Sequence, residues 1–232
     1  MGIRFGTDGW RGIIADDFTF FNLRRVSSAV AQYVLEQDKA EAGIVIGHDT
    51  RFLAEDFAQA VAKILTQAGI KVYMIDRAAP TPVTAYSVLD KGAAGAIMLT
   101  ASHNPPPYNG FKFIPDYAGP ALPHITDRIT QLIPHSVEKC AGRQELVEVF
   151  DPRPAYYDFL ARQVGQQRAA HHGERVLRYA APDGVGHPPR DGGVGLDEPI
   201  FKQHRLHLAR GQDHHRLFAF RHGLVDAAQQ AV

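Results

Sequence analysis

Cysteine is almost absent from this chain. Cys140 stands alone among 232 residues, which excludes an internal disulfide and a cysteine-rich zinc site. An excess of charge of either sign is also lacking. Twenty-five Lys and Arg balance twenty-five Asp and Glu, which removes the electrostatic case for nucleic acid or an anionic membrane as partner. No apolar run reaches the roughly eighteen residues that a membrane span needs. The opening Met1-Gly-Ile-Arg-Phe-Gly-Thr-Asp8 lacks the basic-then-apolar layout of a secretory leader. A cytoplasmic protein is the simplest expectation. What is present is ordinary for a soluble globular chain: 45% apolar and 22% charged residues.

Short apolar runs alternate with helical patterns before residue 140. Gly43-Ile-Val-Ile-Gly47, Lys71-Val-Tyr-Met-Ile75 and Ala94-Gly-Ala-Ile-Met-Leu99 read as buried parallel strands. Between them, Ala54, Phe57, Ala58, Val61, Ile64, Leu65 and Ala68 recur at helical spacing, and Gly69 supplies a stop. Thr81-Pro82 opens a second helix running to about Asp90, since proline is tolerated in a first turn. A further helix begins near Thr19, with Leu23, Val26, Val30, Tyr33 and Val34 as its stripe. Phe111 to Ile114 reads as a strand and Ile125 to Ile133 as a closing helix. The predicted fold class is α/β, a three-layer α/β/α domain with a mixed, mainly parallel sheet, followed by a poorly structured tail.

In such sheets ligands bind outside the carboxyl ends of the strands. Two loops leave such ends with reactive chemistry: His48-Asp-Thr-Arg51, and Thr100 to Gly110. A third, glycine-rich loop is read at Phe5-Gly-Thr-Asp-Gly-Trp-Arg-Gly12. In Thr100-Ala-Ser-His-Asn-Pro105, small residues set the Ser102 hydroxyl at the tip of a turn beside His103. A presented hydroxyl next to an acid or base suits nucleophilic or phosphoryl-carrier chemistry. Lys112, beyond Asn109-Gly110, can return to the same mouth as a cation for phosphate charge. Glycines let backbone amides approach an anion, and Arg11 among them can grip phosphate with a bidentate fork. Spacing alone leaves an inert, proline-punctuated turn equally open.

The two segments FGTDGWRG (Phe5 to Gly12) and TASHNPPPYNGFK (Thr100 to Lys112), at this separation, resemble the α-D-phosphohexomutase superfamily. Gly47-His-Asp-Thr-Arg51 is similar to that family's second-strand loop, and the likeness covers roughly residues 1–165. It implies phosphoglucomutase, phosphomannomutase or phosphoglucosamine mutase activity, through a phosphoserine and a hexose bisphosphate intermediate. The Tyr-Asn-Gly form of the serine loop leans weakly toward the glucose and mannose members. By this resemblance, Ser102 carries the phosphoryl group and His103 assists proton transfer at the sugar hydroxyl. Arg11 and Lys112 stabilise the transferring group. Mg²⁺ binds through the Ser102 phosphate, hexose 1,6-bisphosphate is the activator, and a hexose phosphate is the substrate.

The likeness also implies partners that this sequence does not spell out. Family members carry domains II to IV, with an Asp-Gly-Asp-x-Asp-Arg metal loop, a Gly-Glu-x-Ser-Gly sugar loop and a distal phosphate loop. None of these strings occurs here, and a hard cation wants oxygen ligands beyond one phosphate. The expected organisation is a phosphoserine domain over 1–140, a linker and start of domain II over 141–165, and a non-family tail over 166–232. Asp151 to Val164 resembles the linker helix. After Gly165 come eight of the twelve histidines, eight arginines and a single lysine, Lys202. A reading-frame shift near Val164 would produce that break, and translating the other two frames tests it. The expectation is an incomplete chain without mutase turnover, with a non-catalytic sugar-phosphate-binding remnant as the alternative. His204, His207, His214 and His215 could in principle bind zinc or nickel, a reading that is disfavoured because nothing in the sequence fixes them. A serine hydrolase built on Ser102 and His103 is disfavoured, because neighbours on a tight turn rarely orient as nucleophile and base and no Gly-x-Ser-x-Gly elbow is present.

Overall fold

The computed structural model describes residue 3, residues 5–6 and residues 9–164. The sequence readings for 166–232, including the histidine cluster, lie outside the described residues. Strand β1 (Trp10–Ile13) is followed by α1 (Phe20–Glu36), β2 (Ile44–His48), α2 (Ala54–Gln67), β3 (Val72–Ile75) and α3 (Thr81–Lys91). Then come β4 (Gly95–Leu99), β5 (Tyr108–Pro115), α4 (Pro123–Gln131), a short 3₁₀ turn (Gln144–Leu146) and β6 (Val147–Phe150). A last helix, α5, covers residues 153–164. The first compact unit reaches Tyr156, and residues 157–164 continue the helix in a second unit. Among the described residues, no helix is long and apolar enough to cross a membrane.

The sheet has six strands in the order β1-β5-β4-β2-β3-β6. Strands β4, β2, β3 and β6 run parallel to one another, while β5 is antiparallel to β4 and β1 antiparallel to β5. The sheet is therefore mixed and mainly parallel. Its central strands are buried on both faces, which is why they read as unbroken apolar runs. Alternation splits them between two cores. Ile44, Ile46, Val72, Met74, Ile97, Leu99, Phe111 and Phe113 join one core with residues of α1, α2 and α4. Val45, Tyr73, Ile75, Ala96, Met98 and Ile114 join the other, with Val83 and Val88 of α3. Three layers result.

Two elements differ from the sequence expectation. Trp10 to Gly12 belong to a strand rather than a glycine-rich loop. Trp10 is buried and stacks on Phe18 at 4.7 Å, and Phe18 meets Phe57 edge-on at 4.9 Å, so an aromatic cluster pins this segment to the sheet edge. Strand β6 also lies beyond residue 140, where the sequence suggests a boundary, yet it pairs in parallel with β3. Glu148 of β6 is held by Lys91 at 2.9 Å and Lys71 at 3.0 Å. Hydrogen bonds from these two ammonium groups keep its carboxyl below the ordinary glutamate range. The tie is therefore present at neutral pH and is lost as pH falls through that lowered value.

Helix α1 shows how local chemistry fixes an element end. Thr19 is extended (φ −115°, ψ 158°) and its Oγ1 accepts from the Asn22 backbone N–H at 3.2 Å. That bond satisfies one of the four donors a helix start leaves open. Thr19→Ala should cost about 1 kcal/mol, read as a lowered midpoint in chemical denaturation. A change below a few tenths would mean that water replaces the cap.

Candidate active site

The sheet register brings three chain segments to one end. Strands β2 and β4 are adjacent and parallel, with His48 opposite Leu99, so the loops that follow them leave side by side. Strand β5 starts at this end and runs back, and β1 pairs with it, Arg11 opposite Gly110. Trp10 faces the aromatic cluster, so the two-residue period turns Arg11 to the other face. Lys112 pairs with Met98 and shares that face. Arg11 and Lys112 are thus diagonal neighbours across β1 and β5, where long side chains reach each other's surroundings.

Glycine is required at two points here. Gly9 has φ +86°, and a Cβ on it would meet the Phe111 carbonyl and approach the Lys112 Cα within 2.8 Å. Gly6 and Gly9 exchange backbone hydrogen bonds of 3.0 and 2.8 Å ahead of β1. Gly110 is packed against the Thr100 carbonyl, with the Arg11 Cγ 3.0 Å and the Trp10 carbonyl 3.1 Å from where a Cβ would sit. These close approaches let β1 and the Thr100 loop lie directly on β5.

Ser102 is exposed at the tip of its loop with φ +52°. A left-handed conformation costs a non-glycine residue about 1–2 kcal/mol, so neighbouring bonds must hold it. Its N–H donates to Thr100 Oγ1 at 3.0 Å, and the Asn104 N–H donates to the Ala101 carbonyl at 3.0 Å. The Ser102 Oγ lies 3.4 Å from His103 Nδ1. This is the outer limit of a hydrogen bond, yet it shows that neighbours on this turn can reach one another. Arg11 Nη1 donates to Asn104 Oδ1 at 3.2 Å, drawing the guanidinium against the loop. Ser102, His103 and Arg11 therefore belong to one connected cluster, and Lys112 stands mid-strand on the same sheet face.

The sequence reading marks the loop that carries Arg51 but does not single out the residue. Its Nη1 donates to the carbonyls of Pro105 and Tyr108, each at 3.0 Å. Its Nη2 donates to those of Ser102 at 2.7 Å and Asn104 at 2.6 Å. Asp49 faces Nε at 3.5 Å and accepts from the Arg51 backbone N–H at 2.9 Å. The Asp49 N–H in turn donates to the Leu99 carbonyl at 3.1 Å. The loop after β2 thereby grips the loop after β4.

The donor set for Mg²⁺ is thin. Among the described residues, no cluster of three or more His, Cys, Asp or Glu side chains is placed to hold a metal ion. The described residues bring no carboxylate triad beside Ser102, so they do not by themselves make the oxygen-rich site a hard cation wants.

Comparison with known proteins agrees with this architecture. Residues 2–139 match the family described as phosphoglucomutase/phosphomannomutase, alpha/beta/alpha domain I. The chain is 35% identical over 139 residues to a phosphoglucomutase of Staphylococcus saprophyticus, covering 59% of this chain and 25% of that protein. It is 36% identical over 128 residues to a phosphoglucosamine mutase of a Picosynechococcus strain, covering 55% of this chain and 26% of that one. A solved structure of a candidate phosphomannomutase from Thermus thermophilus superposes with a TM-score of 0.66 at 40% identity. That match covers 70% of this chain and 36% of the other. The matching segment thus spans a quarter to about a third of these relatives.

Proposed function

Because the chain belongs to the phosphoglucomutase/phosphomannomutase family through its domain I, we propose that Ser102 is the phosphoryl carrier of a hexose phosphate isomerisation. The observation that carries this reading is the Ser102 hydroxyl itself. It is exposed on a left-handed turn, 3.4 Å from an imidazole nitrogen and on a loop tied to Arg11. In the step proposed, Ser102 Oγ attacks a phosphoryl group of hexose 1,6-bisphosphate. The serine O–P bond forms as the sugar O–P bond breaks, and the serine proton passes by way of His103 to the sugar oxygen left behind. Arg11 supplies fixed positive charge where the transferring group gathers negative charge, and Lys112 adds to it from the same face.

For this polypeptide the proposal stops at that half-reaction. Relatives with glucose, mannose and glucosamine in their names match comparable stretches, so the sugar is left at hexose phosphate. Net interconversion is assigned to assemblies that supply the walls of domains II to IV. Mg²⁺, where bound, would sit on the Ser102 phosphate and offset its charge. The test is incubation of the purified chain with hexose 1,6-bisphosphate, followed by peptide mapping. One phosphoryl group on the peptide containing Ser102 is expected, and an unlabelled Ser102 after prolonged incubation would sink the reading. A coupled assay for glucose 6-phosphate from glucose 1-phosphate should show no turnover. Robust turnover would overturn the limit to a half-reaction.

A further inference from the structure

We infer that Arg51 is a positioning residue for Ser102, setting the phosphoryl acceptor by holding its own carbonyl and the main chain that follows it. This rests on the reading of Ser102 as that acceptor. A guanidinium has five N–H donors in a rigid plane, and four hydrogen bonds from its two terminal nitrogens are made here. They go to the carbonyls of Ser102, Asn104, Pro105 and Tyr108, between 2.6 and 3.0 Å. Nε forms an ion pair with Asp49 at 3.5 Å. An arginine on a surface loop ordinarily forms a screened ion pair of little consequence. This side chain is only 15% exposed, and its principal partners are neutral oxygens of one loop.

Geometry explains why this matters at Ser102. The left-handed turn there is unfavourable for a residue with a side chain, and the proline run at 105–107 contributes no backbone donors to stabilise it. Arg51 compensates by collecting carbonyls before and after that run. It is itself aimed from β2, through the Asp49 carboxylate and the bond from Asp49 to Leu99. The acceptor is thus referenced to the ends of two central strands rather than to its own flexible loop. Lysine cannot substitute, having three donors on one nitrogen and no plane.

The test uses the full chain and two independent readouts. In Arg51→Lys, Ser102 phosphorylation by hexose 1,6-bisphosphate should slow about a hundredfold, with little change in the bisphosphate concentration giving half-maximal rate. Methylguanidinium should restore part of the rate to Arg51→Ala, whereas methylammonium should not. Hydrogen exchange should quicken at the amides of residues 102–104 and 108–110 and stay unchanged in β2 and β4. Phosphorylation of Arg51→Lys at the native rate would overturn the inference alone. If the native chain accepts no phosphoryl group, the reading of Ser102 falls instead, and exchange decides whether Arg51 holds the loop: unchanged protection would overturn that as well. Should Arg51→Lys fail to fold by circular dichroism, Asp49→Asn replaces it. A smaller slowing is then expected, and an unchanged rate would count against the inference.

Discussion

Ser102→Ala should take up no phosphoryl group from hexose 1,6-bisphosphate under conditions that label the native chain. The substitution removes one oxygen and leaves the loop's other ties in place, because the Ser102 main chain accepts from Arg51 through its carbonyl and donates to Thr100 Oγ1 through its N–H. Alanine bears the same left-handed cost as serine, so stability should move by about 0.5 kcal/mol or less. Uptake and stability are thereby separated, since activity disappears while the melting curve stays. His103→Gln gives the contrasting result, a rate lowered by roughly 10²–10⁴ and not abolished, because the nucleophile remains. Label persisting in Ser102→Ala, or moving to Thr100, would mean that the acceptor has been misassigned.

Gly110→Ala is expected to cost about 3 kcal/mol of folding stability. For a folded unit of this size that corresponds to a melting point lower by roughly 10 °C. The new methyl group would press on the Thr100 carbonyl, with the Trp10 carbonyl 3.1 Å and the Arg11 Cγ 3.0 Å away. Two of these three neighbours are backbone, so rotamer changes cannot relieve the contact. Either β1 moves off β5, or the serine loop lifts at its first residue. Thermal denaturation measures the cost, and peptide mapping reports whether the loop absorbs part of it through slower Ser102 labelling. A shift below about 1 kcal/mol would show that β1 yields freely, and the placement of Arg11 would then be looser than its bond to Asn104 implies.

Much of this arrangement can be read from the letters because burial imposes periods on them. The runs at Ile44, Val72 and Gly95 are unbroken because both faces of those strands are covered, and the stripe at Phe57, Val61 and Leu65 follows the helical turn. Ser102 and His103 are visible because a serine and a histidine between small residues and prolines are a distinctive string. Strand β1 is hidden for the opposite reason, since Gly9 ahead of it answers to close approach to β5 and Gly12 within it to close approach to Asp17 and Phe18, and both look like turn residues in sequence. Strand β6 is hidden because Val147-Glu-Val-Phe150 is a half-exposed edge, too short to show a period. Arg51 escapes for a different cause. Its partners are carbonyl oxygens, which every residue carries and no letter records.

That last feature bears on how such a loop can change. A clamp that grasps only main-chain oxygens is indifferent to the side chains hung on them. Substitution at Pro106 or Pro107 leaves all four of its contacts in place, whereas inserting a single residue between Ser102 and Tyr108 would carry carbonyls out of register with a fork that cannot stretch. The segment is therefore a cassette of fixed length, open in composition at Pro106 and Pro107 but not at His103 and Asn104, whose side chains meet Ser102 and Arg11. Loops of equal length that keep those two residues could be exchanged to retune what approaches Ser102, while the hydroxyl itself keeps its place.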